Sequence, residues 1–246
     1  MMQLKTRRIS VVLFTLIAVV AWLFLNPESY EEIFTLVENT GAENGLEDYD
    51  AEAITEAKAS DKLAVDVLEE LEVKGRAPKT GYSREEFYDG WPIVDGCSLR
   101  QRIIRREFGD TAKLDECTVV AGEFDEPYTG EHRVFNNKTE IAKIQIDHVV
   151  ALSDAWQKGA QYLDKEVRYQ IATDPLNLLA VDGPANEQKS DGDAATWLPK
   201  NKKFRCQYVA RQVSVKYKYK LWVTEAEKNA ILRILEKCPN EPAIGV

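Results

Sequence analysis

The sequence predicts an α+β domain. Residues 144–152 form an apolar run rich in β-branched side chains, the pattern of a buried strand. A second β-branched stretch, residues 117–136, is interrupted by turn residues and indicates a strand or hairpin. Segments with helical periodicity surround both. Because 44% of the 246 residues are hydrophobic, the chain can bury the core of one domain of ordinary size.

The N-terminus has the pattern of an export signal. Lys5, Arg7 and Arg8 precede an uncharged apolar run, residues 9–25. A helix of that length spans about 26 Å, near the lower limit for crossing a bilayer. No clear small-x-small cleavage site follows, which favours an uncleaved anchor over a cleaved signal peptide. In both cases we expect the rest of the chain outside the cytoplasm, either anchored at the cell surface or secreted.

The formal net charge of −9 argues against nucleic acid if it is taken alone. However, residues 28–72 contain 15 Asp and Glu against two Lys, whereas residues 73–246 contain 27 basic and 26 acidic residues. The acidity therefore belongs to one segment. We predict an acidic spacer over residues 26–73, with a short helix over residues 61–73. The folded domain is predicted over residues 74–246.

The elements of this domain are predicted in order. A basic helix follows Trp91, with arginines around Ile103, Ile104 and Phe108. After the hairpin and the strand of residues 144–152 come two helices, over residues 153–163 and 164–174. A turn, a short strand over residues 178–181 and a helix starting near Pro184 follow. The chain closes with a helix over residues 224–238, which Thr224 and Glu227 cap.

The four cysteines predict disulfides rather than a zinc site. None has C-x-x-C spacing, which argues against a zinc cage. An even number of cysteines in an exported chain favours two disulfides, and four buried thiols in a cytosolic protein are the alternative. Of the three possible connectivities we favour Cys97–Cys117 and Cys206–Cys238, because each pair brackets a compact stretch. Such loops stabilise by roughly 3–4 kcal/mol each.

The candidate site is centred on Asp147-His148 in the predicted strand. A carboxylate and a titratable ring are costly in an apolar run unless something uses them. Asn177 and Asn186 follow downstream. His148 could deprotonate a water, and Asp147 and Asn186 offer oxygen ligands that suit Mg²⁺, or Mn²⁺, better than zinc. Since adjacent strand residues face opposite ways, joint use of Asp147 and His148 requires the strand to end or bulge there.

This ordered set resembles an HNH endonuclease of the ββα-metal type. More narrowly, it is similar to the exported bacterial HNH family known as domain of unknown function 1524. The resemblance covers about residues 74–240. The matching residues are 90–91, 95–97, 117–119, 127–130, 146–150, 155–156, 174–178, Asn186, Lys189 and 197–199.

The resemblance implies a role for each site residue. His148 matches the general base and Asp147 a metal ligand. Asn177 matches the residue that orients the histidine and braces the loop, and Asn186 matches a second metal ligand. The name-giving pattern has His at the last position, so this chain departs from it. Each residue also has a structural alternative: a core histidine, a turn residue or a helix cap.

Residues 200–220 contain eight Lys or Arg and no acid, interleaved with aromatic residues. This predicts a phosphate-tracking surface, with a solvated helix face as the alternative. The expected nucleic-acid contacts are Arg100, Lys189, Lys202, Lys203 and Arg205, and His132 is expected at the surface away from the site.

We therefore expect a metal-dependent endonuclease. DNA is favoured over RNA, with low sequence preference because no modular base-reading motif is visible, and no protein partner is implied. The alternatives are a cell-surface nucleic-acid-binding module that has lost catalysis and a purely structural exported domain.

Overall fold

The computed structural model describes residues 59–245. The predicted export helix and most of the acidic spacer lie outside these residues, so the choice between an anchor and a cleaved signal stays a prediction. Within residues 59–245, no helix is long and apolar enough to cross a membrane.

Short strands and helices alternate along the described chain, as expected for an α+β fold. The strands are β1 (Ala59–Leu63), β2 (Ile93–Val94), β3 (Cys97–Ser98), β4 (Lys113–Asp115), β5 (Thr118–Asp125), β6 (His132–Phe135), β7 (Gln145–His148), β8 (Leu178–Val181) and β9 (Pro242–Ile244). The helices are α1 (Ala64–Glu70), α2 (Leu99–Phe108), α3 (Lys138–Ile141), α4 (Leu152–Gln157), α5 (Lys165–Thr173), α6 (Gly183–Lys189), α7 (Arg205–Lys218) and α8 (Glu225–Leu235).

The strands form small antiparallel sheets. The pairs are β1 with β9, β2 with β3, and β7 with β8, and the three strands β4, β5 and β6 form a meander. In this meander β5 and β6 are the predicted hairpin, with Asp125 opposite His132. The helix α2 packs on β5, β7 and β8 through its apolar face, which includes Ile103, Ile104 and Phe108.

The fold includes residues that the sequence assigned to the spacer. The helix predicted over residues 61–73 forms only over Ala64–Glu70, as α1, because residues 61–63 belong to β1. Its Val67 and Leu68 are fully buried against α7 and α8. The strand β1 precedes α1 and pairs with β9 near the C-terminus. The apolar face that the periodicity predicts within residues 61–73 therefore packs on elements that follow residue 74.

The helix α7 corrects the interpretation of residues 200–220. Every residue from Tyr208 to Lys216 is buried, with Val209 and Val213 in the core between α1 and α8. The helix is therefore neither a solvated face nor a phosphate-tracking surface. Two of its cations, Arg211 and Lys216, are buried, and Arg211 donates to the carbonyl of Leu176 at 2.9 Å. The prediction was wrong for this helix because the sequence pattern does not show that Arg211 and Lys216 have buried partners.

A buried network of charges joins the helices. The Lys158 ammonium, which is fully buried, lies 2.6–2.8 Å from carboxylates of Asp154, Asp193 and Glu227. Lys216 of α7 contacts Asp154 and Glu227, and Arg76 contacts Asp154 and Asp193. Because each charge has partners of opposite sign, the network offsets the cost of burying it. It holds α4, α7, α8 and the segment after α6 together.

Both predicted disulfides are present. Cys97 in β3 is bonded to Cys117, immediately before β5, with the Cα atoms 5.4 Å apart. Cys206, near the start of α7, is bonded to Cys238, just after α8, with the Cα atoms 6.4 Å apart. The described residues contain no free cysteine.

Candidate active site

The strands β7 and β8 and the helix α6 form a ββα unit that carries the predicted site residues. The two strands are paired in regular register, with His148 opposite Leu178. The helix begins directly after β8, where the Asp182 side chain accepts from the Ala185 amide at 2.9 Å and Pro184 occupies the first turn. The buried carboxylate of Glu126 accepts from the Asp182 amide and so connects the loop after β5 to this helix start.

His148 is the last residue of β7, and its ring is held in one orientation. Its Nε2 lies 2.8 Å from the carbonyl oxygen of Ala172. Since a carbonyl only accepts, this bond requires the proton on Nε2 and leaves a lone pair on Nδ1. The rings of Tyr88 and Trp91 lie 5.9 and 6.1 Å away between centroids, and the Trp91 ring is within 8° of parallel to the imidazole.

The surroundings keep His148 neutral. The pKa of His148 is lowered to about 3, mainly by burial. The positive charges of Arg84 and Lys189 contribute to this lowering, and the hydrogen bond to Ala172 opposes it. At neutral pH the ring is therefore unprotonated and can accept a proton, which is the first requirement of a general base.

Asp147 contacts different partners from its neighbour. Its Oδ1 accepts from the Lys189 ammonium at 2.9 Å, and its Oδ2 accepts from the Tyr128 hydroxyl. Burial raises the pKa of Asp147, and the charge of Lys189 opposes that shift. The strand does end at His148, as joint use of the pair requires, but the two side chains share no partner. Strand alternation therefore persists to the last residue of β7.

Lys189 stabilises the end of β7 from within α6. Its side chain is fully buried, and the ammonium also donates to the carbonyl oxygen of His148 at 2.8 Å. The sequence predicts that Lys189 contacts a phosphate, but in this placement its ammonium is not exposed.

Asn177 braces the segment that follows the histidine. Its Oδ1 accepts from the Val150 amide at 2.8 Å, and its Nδ2 donates to the carbonyls of Ile171 at 3.0 Å and Val150 at 3.3 Å. Ile171 directly precedes Ala172, whose carbonyl holds the His148 ring. Asn177 thus acts on the histidine through the backbone.

Asn186 lies on the first turns of α6 and is half-buried. Its Nδ2 donates to Oε1 of Gln145 at 2.8 Å. Gln145 is two residues before Asp147 and therefore faces the same side of β7. Asn186 and Asp147 consequently lie on the α6 side of the strand, whereas His148 packs on the side of Tyr88 and Trp91.

A metal ion at Asp147 would have to compete with protein partners that both carboxylate oxygens already have. The donor types are suitable, but an ammonium and a phenol already occupy the two oxygens of Asp147. Among the residues that the structure describes, the one His, Cys, Asp and Glu cluster with metal-site spacing is Cys206, Cys238 and Glu241, and both of its cysteines are in a disulfide.

The other residues that the sequence predicts to contact nucleic acid differ in their exposure. Lys202 and Lys203 are exposed just before α7. Arg100 is half-buried and donates to the carbonyl of Ile144 at 2.8 Å, and Arg205 donates to the carbonyl of Pro199 at 2.7 Å. His132 is exposed, as expected, and pairs with Asp125.

Four residues near the site were missed as functional candidates. Tyr128 lies in the Pro-Tyr-Thr-Gly segment that carries the resemblance, and that segment was the available signal. Trp91 likewise lies in a matching segment, residues 90–91. Arg84 ends a stretch that the sequence presents as a loop into the domain, and Tyr88 follows it without a signal of its own, so only the three-dimensional structure shows that these two residues lie near His148.

Comparison with known proteins supplies the family. Residues 100–234 match the family described as "GmrSD restriction endonucleases, C-terminal domain". A protein of Arthroderma benhamiae described as "Uncharacterized secreted protein" is 34% identical over 183 residues, which is 73% of this chain and 86% of that protein. No solved structure matches.

The family match spans more than half of the chain, and the chain therefore belongs to the family of GmrSD restriction endonuclease C-terminal domains. This supports a nuclease, as the sequence predicted, and implies a nucleic acid substrate. The secreted relative and the two disulfides fit an exported protein. The narrower resemblance to the HNH type stays a prediction.

Proposed function

We propose that the protein hydrolyses phosphodiester bonds of nucleic acid outside the cytoplasm, with His148 as the general base. One observation carries the proposal: the Ala172 carbonyl fixes the proton on Nε2 and leaves Nδ1 as the acceptor. This histidine ends the first strand of a ββα unit in a chain of a restriction endonuclease family.

In the proposed reaction Nδ1 takes a proton from a water, and the resulting hydroxide bonds to phosphorus in line with the leaving oxygen. The bond from phosphorus to that oxygen breaks, and the oxygen takes a proton from solvent water. The low pKa of the buried ring makes it a weak base before substrate binds. A bound phosphate brings negative charge, which raises the pKa of a nearby histidine and strengthens the base. The Ala172 bond keeps the ring oriented while its charge changes.

The finer parts of the proposal rest on residue types and on the family. We propose DNA before RNA as substrate, with little sequence preference. A divalent cation, Mg²⁺ before Mn²⁺, would use Asp147 and Asn186, since their oxygens suit a hard ion. It would have to displace the Lys189 ammonium from Oδ1, so no reaction step is drawn through it.

The test is incubation of the oxidised protein with plasmid and with RNA, with Mg²⁺ and with chelator. The proposal expects cutting that disappears in His148→Ala. Cutting that stops when chelator is added would show that the reaction requires a divalent cation, and cutting that continues would show that it does not. Equal cutting by a folded His148→Ala protein would assign the base to another group and overturn the proposal.

A second candidate is a nucleic-acid-binding module without catalysis. The placement of both central residues favours it: His148 is 5% exposed, and Asp147 already has two partners. This candidate predicts nucleic acid binding with no cutting under any cation. The same plasmid assay, run beside a binding measurement, distinguishes the two.

A further inference from the structure

Arg84 lies beside the rings that cover His148. It is exposed and begins a short 3₁₀ helix, Arg84–Glu86. Its Nε donates to the Tyr88 hydroxyl at 3.1 Å, and its Nη2 donates to the same oxygen. The guanidinium carbon lies 5.0 Å from the centre of the Tyr88 ring. The arginine is thus fixed on the ring that packs 5.9 Å from the imidazole.

The charge of Arg84 has no carboxylate within ion-pair distance in the described part of the chain. Glu86, two residues on, pairs instead with Arg168 at 3.1 Å. Arg106, unlike Arg84, pairs with Glu107 and donates to the carbonyls of Pro175 and Leu178. Arg84 therefore presents a positioned cation without a direct ion pair, on the ring that packs against the proposed general base.

The geometry leaves Arg84 donors for a ligand. A guanidinium has five N–H groups, and the Tyr88 hydroxyl takes one from Nε and one from Nη2. The three others are free to donate from an exposed side chain. The planar guanidinium can donate two parallel hydrogen bonds to the oxygens of a phosphate, which an ammonium cannot do with the same geometry. On the opposite side of β7, the Lys189 ammonium is buried and committed to Asp147.

We propose that Arg84 binds the phosphate group that the water at His148 attacks, and that Tyr88 positions it. This inference rests on the proposed function. Arg84 neutralises the phosphate charge, and the Tyr88 hydroxyl keeps the guanidinium within reach of the imidazole. The ligand class is a phosphodiester of nucleic acid, recognised through its backbone rather than its bases.

The test compares Arg84→Gln with Arg233→Gln, an exposed arginine on α8, which packs against α1 and α7. Arg84→Gln should lower kcat/KM for a DNA oligonucleotide by about 10²–10³-fold, the usual loss when a positioned donor is removed. It should also flatten the salt dependence of binding by about one unit of slope. Arg84→Lys should recover part of the rate, and Tyr88→Phe should lose part of it. Arg233→Gln should match the wild type.

The outcomes separate this inference from the proposed function. If the wild type cuts and Arg84→Gln cuts and binds like Arg233→Gln, Arg84 is not the phosphate ligand, whereas His148 can still be the base. A wild type that binds without cutting overturns the proposed hydrolysis. The salt slope of Arg84→Gln then still decides whether Arg84 holds a phosphate. Thermal melts of each variant show whether it is folded.

Discussion

The ammonium of Lys189 lies 2.9 Å from Oδ1 of Asp147, the carboxylate for which the sequence predicted a metal ion. Both side chains are buried, so each charge depends on the other to offset its desolvation. Lys189 is three residues after Asn186 on α6, and the helix therefore brings a cation to the same face of β7 as the predicted metal ligands. A metal at Asp147 would compete with a resident cation.

The first prediction is that Lys189→Met destabilises the protein in the absence of divalent cations. Removing one partner of a buried pair typically costs about 3–5 kcal/mol, because the other charge stays unpaired. If Asp147 is a metal ligand, Mg²⁺ or Mn²⁺ should restore more stability to Lys189→Met than to the wild type. Denaturant unfolding with and without each cation measures both effects.

The matched control is Lys189→Met combined with Asp147→Asn, which removes both charges and should recover much of the lost stability. An equal response of wild type and Lys189→Met to cations would count against Asp147 as a ligand. That result would leave the pair with a purely structural role.

The second prediction concerns acid stability. Burial alone would raise the pKa of Asp193, but Lys158, 2.8 Å away, and Arg76 lower it to about 2. A folded-state pKa below the unfolded value of 3.8 stabilises the fold above about pH 4, and this contribution is lost as the pH falls towards 2. The contribution is about 2 kcal/mol, at roughly 1.4 kcal/mol per pKa unit.

Unfolding free energies between pH 5 and pH 2 test this pH range. Asp193→Asn should be less stable at pH 5, and its loss of stability on acidification should be shallower than that of the wild type. Parallel curves for the two proteins would show that Asp193 titrates normally in the folded state.

The elements with a local signal were predictable from the sequence. The apolar run of residues 144–152 contains β7, which ends at His148, and residues 178–181 form β8 as predicted. Thr224 and Glu227 form the predicted capping box at the start of α8. The cysteine pairing followed from spacing within an exported chain. For the strands and the helix cap a few neighbouring residues carry the information, and for the disulfides the spacing of four cysteines does.

The features that depend on long-range partners were not predictable. The basic run predicts Lys216 at the surface, but it is buried and pairs with Asp154 and Glu227. The sequence predicts Lys189 as a phosphate contact, because nothing nearby in sequence shows that Asp147 is its partner. A charged residue is assigned to the surface by default, and this default fails wherever the fold supplies the opposite charge.

The third prediction is that Lys202 and Lys203 contact the nucleic acid backbone, whereas Arg205 contributes little. The two lysines are exposed, but the Arg205 guanidinium donates to the Pro199 carbonyl. Lys202→Ala and Lys203→Ala should each reduce the salt slope of binding by about one unit. Arg205→Ala should change the slope less. Binding isotherms at several salt concentrations measure the slopes, and a larger effect from Arg205 would reverse this assignment.

The last prediction separates the roles of His148 and Asn177. His148→Ala removes the proposed base, so cutting should fall by about 10²–10⁴-fold while the protein stays folded. Asn177→Ala should act mainly on stability, since it leaves the Val150 amide and the Ile171 and Val150 carbonyls without a buried partner, at about 1–3 kcal/mol for each group. Initial cutting rates and denaturant midpoints, measured on the same preparations, distinguish a loss of chemistry from a loss of fold. If Asn177→Ala keeps its stability and loses rate as His148→Ala does, Asn177 takes part in the reaction itself rather than bracing the backbone behind the histidine.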